Sequence, residues 1–433
     1  MRGKRIAVLL AVAAGLLVLP TVELPDAPPP ARTSTATAAP RATGAGYVAS
    51  FDTDGVVAVS AVTDAQELRI RWQDGDGWSP WEPVQWSSEH APDPGTAEAS
   101  SFDAAVSEPV WIGDAGTVEV LSSAPDAVTL ELVHLAGDLG YTAEPDVSAR
   151  AQALAIWPPI IPRYRWDPNG DCRPDSSPRL ADRAHRVYVH HTVVFPHYEP
   201  HEADDVIRAI CLGHVNRRGF SDIGYNFLID AYGRIYQGRV GGILSPVVGA
   251  HAAGFNRGSV GVALVGDFDT HEVPDAALQA LDRLTAWLAD LHEIEPYAVS
   301  GHVSTGGETT RFEAGAVVEL PTIVGHRDTA LDSACPGDEL YEHVRGSNPI
   351  APRVRAILQS HYGWTATDLE PPPAGEPTLV AQSAGRPTAP ADDTQSGGLV
   401  EQLSGMVSGT DSPVERLVRG AAAASELMGA DGP

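Results

Sequence analysis

Lysine is nearly missing from this chain. Lys4 is the sole example in 433 residues, and every other cation is an arginine. Lysine and arginine together number 29 against 57 acidic residues, a formal net charge of −28. A surface so poor in positive charge has no footprint for a phosphate backbone, which excludes nucleic acid as a partner. Cysteine is scarce as well, at three residues, so this is not a disulfide-dense scaffold. There is no coiled-coil heptad run, no repeat on the scale of roughly 20–50 residues, no phosphate-cradling glycine loop and no dinucleotide fingerprint. Long apolar runs are also lacking, with one exception. Ile6–Leu19 follows the basic head Arg2, Lys4 and Arg5 and contains fourteen apolar or small residues. As a helix it would span about 21 Å, short of a bilayer core of about 30 Å. This is the pattern of a secretory signal, and an uncleaved membrane anchor is the alternative. The small-residue site Ala36-Thr37-Ala38 lies far from the run. Either way the rest of the chain is expected to be exported, and on the favoured reading as a signal the mature protein keeps no stable membrane span.

What is present suffices for two or three domains at about 150 residues each. The chain is 43% hydrophobic and 20% charged, enough for a sizeable core. Composition divides it as follows: a signal segment and Pro/Ala/Thr-rich linker at 1–43, a small all-β domain at 44–137, a linker at 138–165, an α/β domain at 166–362, and a low-complexity tail at 363–433. The tail is expected to be mostly disordered, with two short amphipathic patches. In the front domain, apolar residues alternate through Val57, Val59 and Ala61, through Leu68, Ile70 and Trp72, and through Val118, Val120, Val128, Leu130 and Leu132. Turn signals such as Asp74-Gly75-Asp76-Gly77 separate these runs. The alternation predicts an antiparallel sandwich or barrel. The region holds 16 acidic residues, two arginines and no catalytic grouping. Trp78-Ser79-Pro80-Trp81 would suit a sugar ring, but a tryptophan-rich edge of the core is the favoured reading.

From Trp166 to Tyr362 strand and helix patterns alternate, which indicates a central mixed β-sheet flanked by helices. Arg186–Val194 reads as a β-branched strand, Glu202–Arg218 as a helix ended by Gly219, and Ser259–Val265 as a strand. Asp275–Glu293 is the clearest helix, with Leu278, Leu281, Leu284, Leu288 and Leu291 at helical spacing. Val317–Val324 reads as a strand leading into Gly325-His326.

Three cysteines in an oxidising compartment allow three pairings, with one thiol left over. Cys335 sits nine residues after His326 in Ser333-Ala334-Cys335-Pro336-Gly337. An exposed thiol is a liability outside the cell, whereas a metal-held thiolate is capped. A Cys172–Cys211 disulfide with Cys335 as a ligand is therefore the economical assignment. Zinc favours imidazole and thiolate, and a catalytic site takes three protein ligands and leaves one position open. His326 and Cys335 supply two. On the 186–194 strand side chains alternate faces. His191 shares its face with Val187, Val189 and Val193, and His190 shares the less apolar one with Tyr188 and Thr192. His190 is therefore the expected third ligand. A purely structural zinc would need a fourth, and no fourth candidate stands out. Two look-alikes fall away: Pro200 breaks the helix that His197 and His201 would need, and Arg257-Gly258-Ser259-Val260-Gly261 lacks the first glycine of a nucleophile elbow.

In chain order, these residues resemble a known family: Val189-His190-His191-Thr192, Asp222-Ile223-Gly224-Tyr225-Asn226-Phe227, Gly249-Ala250-His251-Ala252 with Gly254-Phe255-Asn256, Ser259-Val260-Gly261-Val262, Gly325-His326-Arg327-Asp328 and Ala334-Cys335-Pro336-Gly337. The set is similar to the peptidoglycan recognition proteins, whose domain is the zinc-dependent type 2 N-acetylmuramoyl-L-alanine amidase. The flanking regions resemble those of secreted actinobacterial members. The resemblance implies a zinc hydrolase with His190, His326 and Cys335 as ligands and Tyr225 stabilising the transition state. Ser333 stands where the family usually has threonine or lysine and would assist Tyr225. Thr192, His251 and Asn256 fall near the substrate groove. Peptidoglycan is the implied partner, the wall outside the cell the implied location, and a monomer the expected state. Members without activity typically lack the cysteine, so its presence favours an enzyme over a wall-binding or signalling protein. The interval from His326 to Cys335 is one residue longer than the commonest spacing. Ser300–Glu319 reads as an inserted hairpin beside the groove, and Asp328 as a residue that orients a ligand histidine.

Overall fold

The computed structural model describes residues 11–12, 15–16, 30–62, 67–84, 86, 90–101, 107–135, 157–172, 177–193, 198–373 and 377–381. Most of the signal segment and the tail from 382 onward, with both its amphipathic patches, lie outside the described residues. No helix among the described residues is long and apolar enough to cross a membrane.

The front domain is a β-sandwich. One sheet orders its strands Val110–Trp111, Ala58–Ala61, Val128–His134 and Arg32–Ala38. The other runs Arg41–Thr43, Gly46–Asp52, Thr117–Ser122 and Leu68–Asp74, with Gly77–Trp78 and Glu82–Pro83 both paired to the last. All pairings are antiparallel. The alternating residues face each other across it: Phe51, Val59, Ile70, Val118, Val120, Leu130 and Leu132 make one core. That follows from the period-2 exposure of strand side chains, which gives each sheet one apolar face to bury.

The front boundary moves. The expected linker up to Thr43 instead supplies strands: Arg32–Ala38 pairs along its whole length with Val128–His134. Its alternating threonines are β-branched and suit an edge strand, so composition misleads there. The candidate cleavage site Ala36-Thr37-Ala38 therefore lies inside a paired strand. Trp78 and Trp81 line neither an empty platform nor the core. The Arg71 guanidinium stacks on both rings, 4.6 and 4.5 Å from their centroids.

The second domain has a six-stranded mixed sheet in the order Ile160–Ile161, Ile235–Gln237, Phe227–Ile229, Ser259–Leu264, Arg186–His191 and Ile323–Gly325. Arg186–His191 is parallel to both neighbours. Helix Ala203–Asn216 covers one face, while Asp275–His292 and Ile350–His361 cover the other. Leu281, Leu284 and Leu288 of the long helix enter the core as their spacing predicts. The domain starts earlier than Trp166, because Ile160–Ile161 is already an edge strand of the sheet. It also ends later than Tyr362. Trp364 Nε1 donates to Asp290 Oδ1 at 2.8 Å, and Thr378–Ala381 adds a strand to the hairpin Val299–Val303/Val317–Pro321. The first part of the expected tail is thus packed structure. Cys172 and Cys211 are joined, with Cα atoms 6.0 Å apart, tying the segment after Trp166 to helix Ala203–Asn216.

The two domains share apolar ground. Ala58, Trp111 and Val133 of the sandwich join one cluster with Ala203, Val206, Ile207 and Ile210 of the first long helix. Polar contacts frame it: Arg218 Nη2 lies 3.0 Å from Glu108 Oε1, Arg217 pairs with Glu131, and the Ala31 amide donates to Asp171 at 3.0 Å.

Candidate metal centre

The sheet delivers the key side chains to one end of its central strands. On Arg186–His191, His190 faces inward to a polar cluster. His191 turns to the opposite face and accepts from the Phe268 amide at 3.2 Å. The next parallel strand ends at Gly325, and His326 opens the short 3₁₀ turn His326–Asp328 that follows. Cys335 returns from the loop beyond. Among the contacts that hold that loop, Arg327 N donates to Cys335 O at 2.7 Å, and Cys335 N donates to Ser333 Oγ at 3.1 Å. The extra loop residue is thereby absorbed without separating the two donors.

His190, His326, Cys335 and a fourth residue, His90, offer ligand atoms that all lie within 4.8 Å of one another, and all four are buried. His190 Nδ1 is 3.6 Å from Cys335 Sγ. His90 Nε2 is 3.3 Å from His190 Nδ1 and 3.4 Å from Cys335 Sγ. The ring of His90 stacks on that of His326, centroids 4.8 Å apart. Burial, reinforced by nearby cations and by the rings' mutual repulsion, pushes His90, His190 and His326 well below their ordinary value of 6.5. At neutral pH these rings are neutral, the form that ligates a metal. The His326 Nδ1 atom is buried with no hydrogen-bond partner. Such an orphan costs about 1–3 kcal/mol. Three imidazoles and a thiol converging on one point, with an orphaned ring nitrogen among them, fit a zinc ion in ligand type and spacing.

His90 was not legible as a site residue. It sits in the acidic front domain, a hundred residues before His190, in no motif. The one available signal was the length of the loop between Pro83 and Val110, since connections that long tend to be functional.

The remaining expected residues take varied places. Tyr225 is buried, and its hydroxyl lies 3.2 Å from His90 Nδ1, at the rim of the cluster. Ser333 is half-buried and holds the Cys335 amide. His251 is fully buried behind His190, with its Nδ1 3.0 Å from His190 Nε2. Gly249 and Gly261 leave room for that ring; a Cβ on either would approach it to 2.4 Å. Asn256 caps the turn through Oδ1, which accepts from the amides of His251 at 2.7 Å and Ala252 at 3.0 Å. Thr192 is buried, and its hydroxyl accepts from the Gly266 amide at 3.2 Å. Asp328 does not orient a ligand histidine. Its carboxylate accepts from the Gly325 amide at 2.9 Å, the Tyr341 hydroxyl at 2.7 Å and Arg345 Nη1 at 3.1 Å. Burial raises its pKa, and these partners, Arg345 foremost, oppose that. Asp328 therefore anchors the turn that carries His326.

A mixed sheet with two histidines at the ends of neighbouring strands and a cysteine returning from the loop beyond is the arrangement of an amidase-type α/β domain. Comparison with known proteins agrees. Residues 181–338 match the family described as N-acetylmuramoyl-L-alanine amidase, and residues 22–152 match one described as Rv3811 N-terminal galactose-binding domain-like. A peptidoglycan-recognition protein of Drosophila melanogaster is 40% identical over 149 residues, covering 34% of this chain and 77% of that protein. Peptidoglycan recognition protein 1 of Bos taurus is 30% identical over 188 residues, covering 43% of this chain and 82% of that one. The solved structure of wild-type Drosophila PGRP-LB is 28% identical, covers 43% of this chain and 91% of its own, and has a TM-score of 0.34. The chain belongs to the peptidoglycan recognition protein and type 2 amidase family.

Proposed function

We propose that the protein is a secreted zinc amidase that hydrolyses the amide between N-acetylmuramic acid and L-alanine in peptidoglycan, acting at the cell wall as a monomer. The observation that carries this reading is the convergence of His190, His326 and Cys335 from distant stretches of chain on one buried point, with Tyr225 at its edge. These three would hold the ion. A zinc ion there would polarise the amide carbonyl and acidify a water molecule.

The chain's own residues supply the rest. The Tyr225 hydroxyl is placed to donate to the oxyanion that develops on the carbonyl; removing one such donor commonly costs about 10²–10³ in rate. Ser333 fixes the Cys335 amide and lies at the accessible side of the loop, where its hydroxyl can serve the same charge. His251 holds His190 in orientation through their ring-nitrogen contact. Asn256 and Thr192 stiffen the walls of the groove, and Asn256 presents its amide nitrogen to whatever lies in it.

The test combines metal content with wall chemistry. Purified full-length protein should retain one zinc; it or, more strongly, the opened variants described next should release new L-alanine amino termini from purified cell wall, and a chelator should abolish the release. Cys335→Ser should lose both zinc and turnover. A zinc-loaded chain that binds wall yet releases no termini, even in the opened variants described next, would leave a wall-binding protein in place of an enzyme.

A further inference from the structure

Part of the front domain lies in the groove. Described residues 90–101, which follow the strand Glu82–Pro83 in the chain, contact the amidase domain at and beside the metal cluster. Resting on the zinc reading above, we infer that His90 is a fourth protein ligand for the same ion. We infer further that 90–101 is a built-in plug, which keeps the folded chain latent until the two domains part.

Geometry supports the ligand role first. Four-coordinate zinc with nitrogen at about 2.0–2.1 Å and sulfur at about 2.3 Å would separate neighbouring nitrogens by about 3.3 Å, and nitrogen from sulfur by about 3.6 Å. His90 Nε2, His190 Nδ1 and Cys335 Sγ form a triangle with edges of 3.3, 3.4 and 3.6 Å. The other side of the His90 ring is dressed as a metal ligand's is. Its Nδ1 faces the Tyr225 hydroxyl at 3.2 Å and Glu108 Oε1 at 4.0 Å, and Arg218 holds Glu108 in place. The Tyr225 hydroxyl at the non-ligating nitrogen orients the ring, and the Glu108 carboxylate lies just beyond hydrogen-bond reach.

The residues that follow are fastened to the groove one after another. Asn256 Nδ2 donates to Ala91 O at 3.0 Å and to Asp93 Oδ1 at 2.9 Å. The Gly254 amide donates to Asp93 Oδ1 at 2.9 Å. Glu98 accepts from the Ser221 amide at 2.9 Å and pairs with Arg239 at 2.5 Å. Gly219, at φ +69°, lets the backbone pass Ser101 so closely that a Cβ there would sit 1.9 Å from the Ser101 carbonyl oxygen.

Two consequences follow for the reaction. A catalytic zinc needs one position free of protein, and a fourth protein ligand makes the site a closed one. The Tyr225 hydroxyl is engaged by His90 rather than free to meet an oxyanion. Opening needs no rearrangement inside the amidase domain, because every blocking residue belongs to one loop of the other domain. The domain interface is an apolar cluster framed by ion pairs, so parting the domains would expose both.

Cobalt(II) substituted into the full-length protein reads the coordination directly. The wild type should give a four-ligand tetrahedral visible spectrum that does not respond to acetohydroxamate. His90→Ala should bind cobalt in the same ratio, with a spectrum that shifts when acetohydroxamate is added. With zinc it should hydrolyse wall roughly tenfold faster or more, the gain expected when a competent state populated at about a tenth becomes the main one. Asp93→Ala combined with Glu98→Ala leaves all four donors intact, and should move both readouts in the same direction by loosening the plug alone. That variant decides the matter if His90→Ala fails to fold. If the wild type already takes up acetohydroxamate and matches both variants in rate, His90 is not a ligand and the plug is overturned, while the amidase reading survives. If the variants gain the acetohydroxamate response yet release no termini, His90 stands as a ligand and the amidase reading and latency both fall.

Discussion

His251 meets the four-donor cluster through His190, and two glycines leave room for its ring. Its ring fills the space left by Gly249 and Gly261 and holds His190 Nε2 at 3.0 Å. Gly261→Ala would drive a methyl group to 2.4 Å from the ring. The protein should stay folded, because the strand keeps its pairing, but His190 should lose its orientation. Zinc affinity is expected to fall about 10–100-fold, the usual cost of losing a ligand's supporting partner. Competition with a chromophoric chelator would measure it, and unchanged affinity would show that His251 is packing alone. At this scale the sequence was informative wherever a motif carried the residue. His190 could be preferred over His191 because a strand alternates its faces, and the two rings do point apart. Asp328 was misread because adjacency in sequence says nothing of direction: its carboxylate turns back onto Gly325, Tyr341 and Arg345.

Between elements, Arg186 ties the histidine-bearing strand to the hairpin beside the groove. Its guanidinium donates to the carbonyls of Pro321, Ser300 and Leu320 and to His302 Nδ1, all at 2.9–3.0 Å. Burial and then the adjacent Arg186 charge lower the His302 pKa from 6.5 to about 2. The sign of the resulting pH dependence is fixed. Below pH 6.5 the unfolded chain takes up a proton on His302 and the folded one does not, so stability falls as the solution is acidified. The loss amounts to about 1.4 kcal/mol per pH unit for a group so fully shifted. His302→Asn keeps an acceptor for Arg186 and removes the titration. Urea midpoints measured from pH 6.5 to pH 4.5 should fall less steeply in the variant; equal slopes would place the acid sensitivity elsewhere. Element positions were largely readable, because the leucine spacing of Asp275–His292 and the β-branched runs carry their own period. The strands Arg32–Ala38 and Thr378–Ala381 were hidden by low-complexity composition. What recruits them is an open sheet edge elsewhere in the chain, a tertiary cause that local sequence does not record.

At the scale of the whole molecule, two domains with no motif in common share one apolar cluster, and one of them places His90 among the candidate metal-binding side chains of the other. Three donors came from recognisable blocks. The fourth depends on how the domains dock, and nothing near His90 in sequence announces that. The docking also explains why so acidic a front domain carries Glu108 and Glu131 in buried positions: Arg218 and Arg217 of the partner domain meet them. Zinc K-edge X-ray absorption on the purified full-length chain counts the donors around the ion without recourse to activity. One zinc per chain is expected, with a single sulfur neighbour at about 2.3 Å and three nitrogens at about 2.0–2.1 Å. A chain that retains no zinc, or zinc with no sulfur bound to it, would contradict the four-donor site.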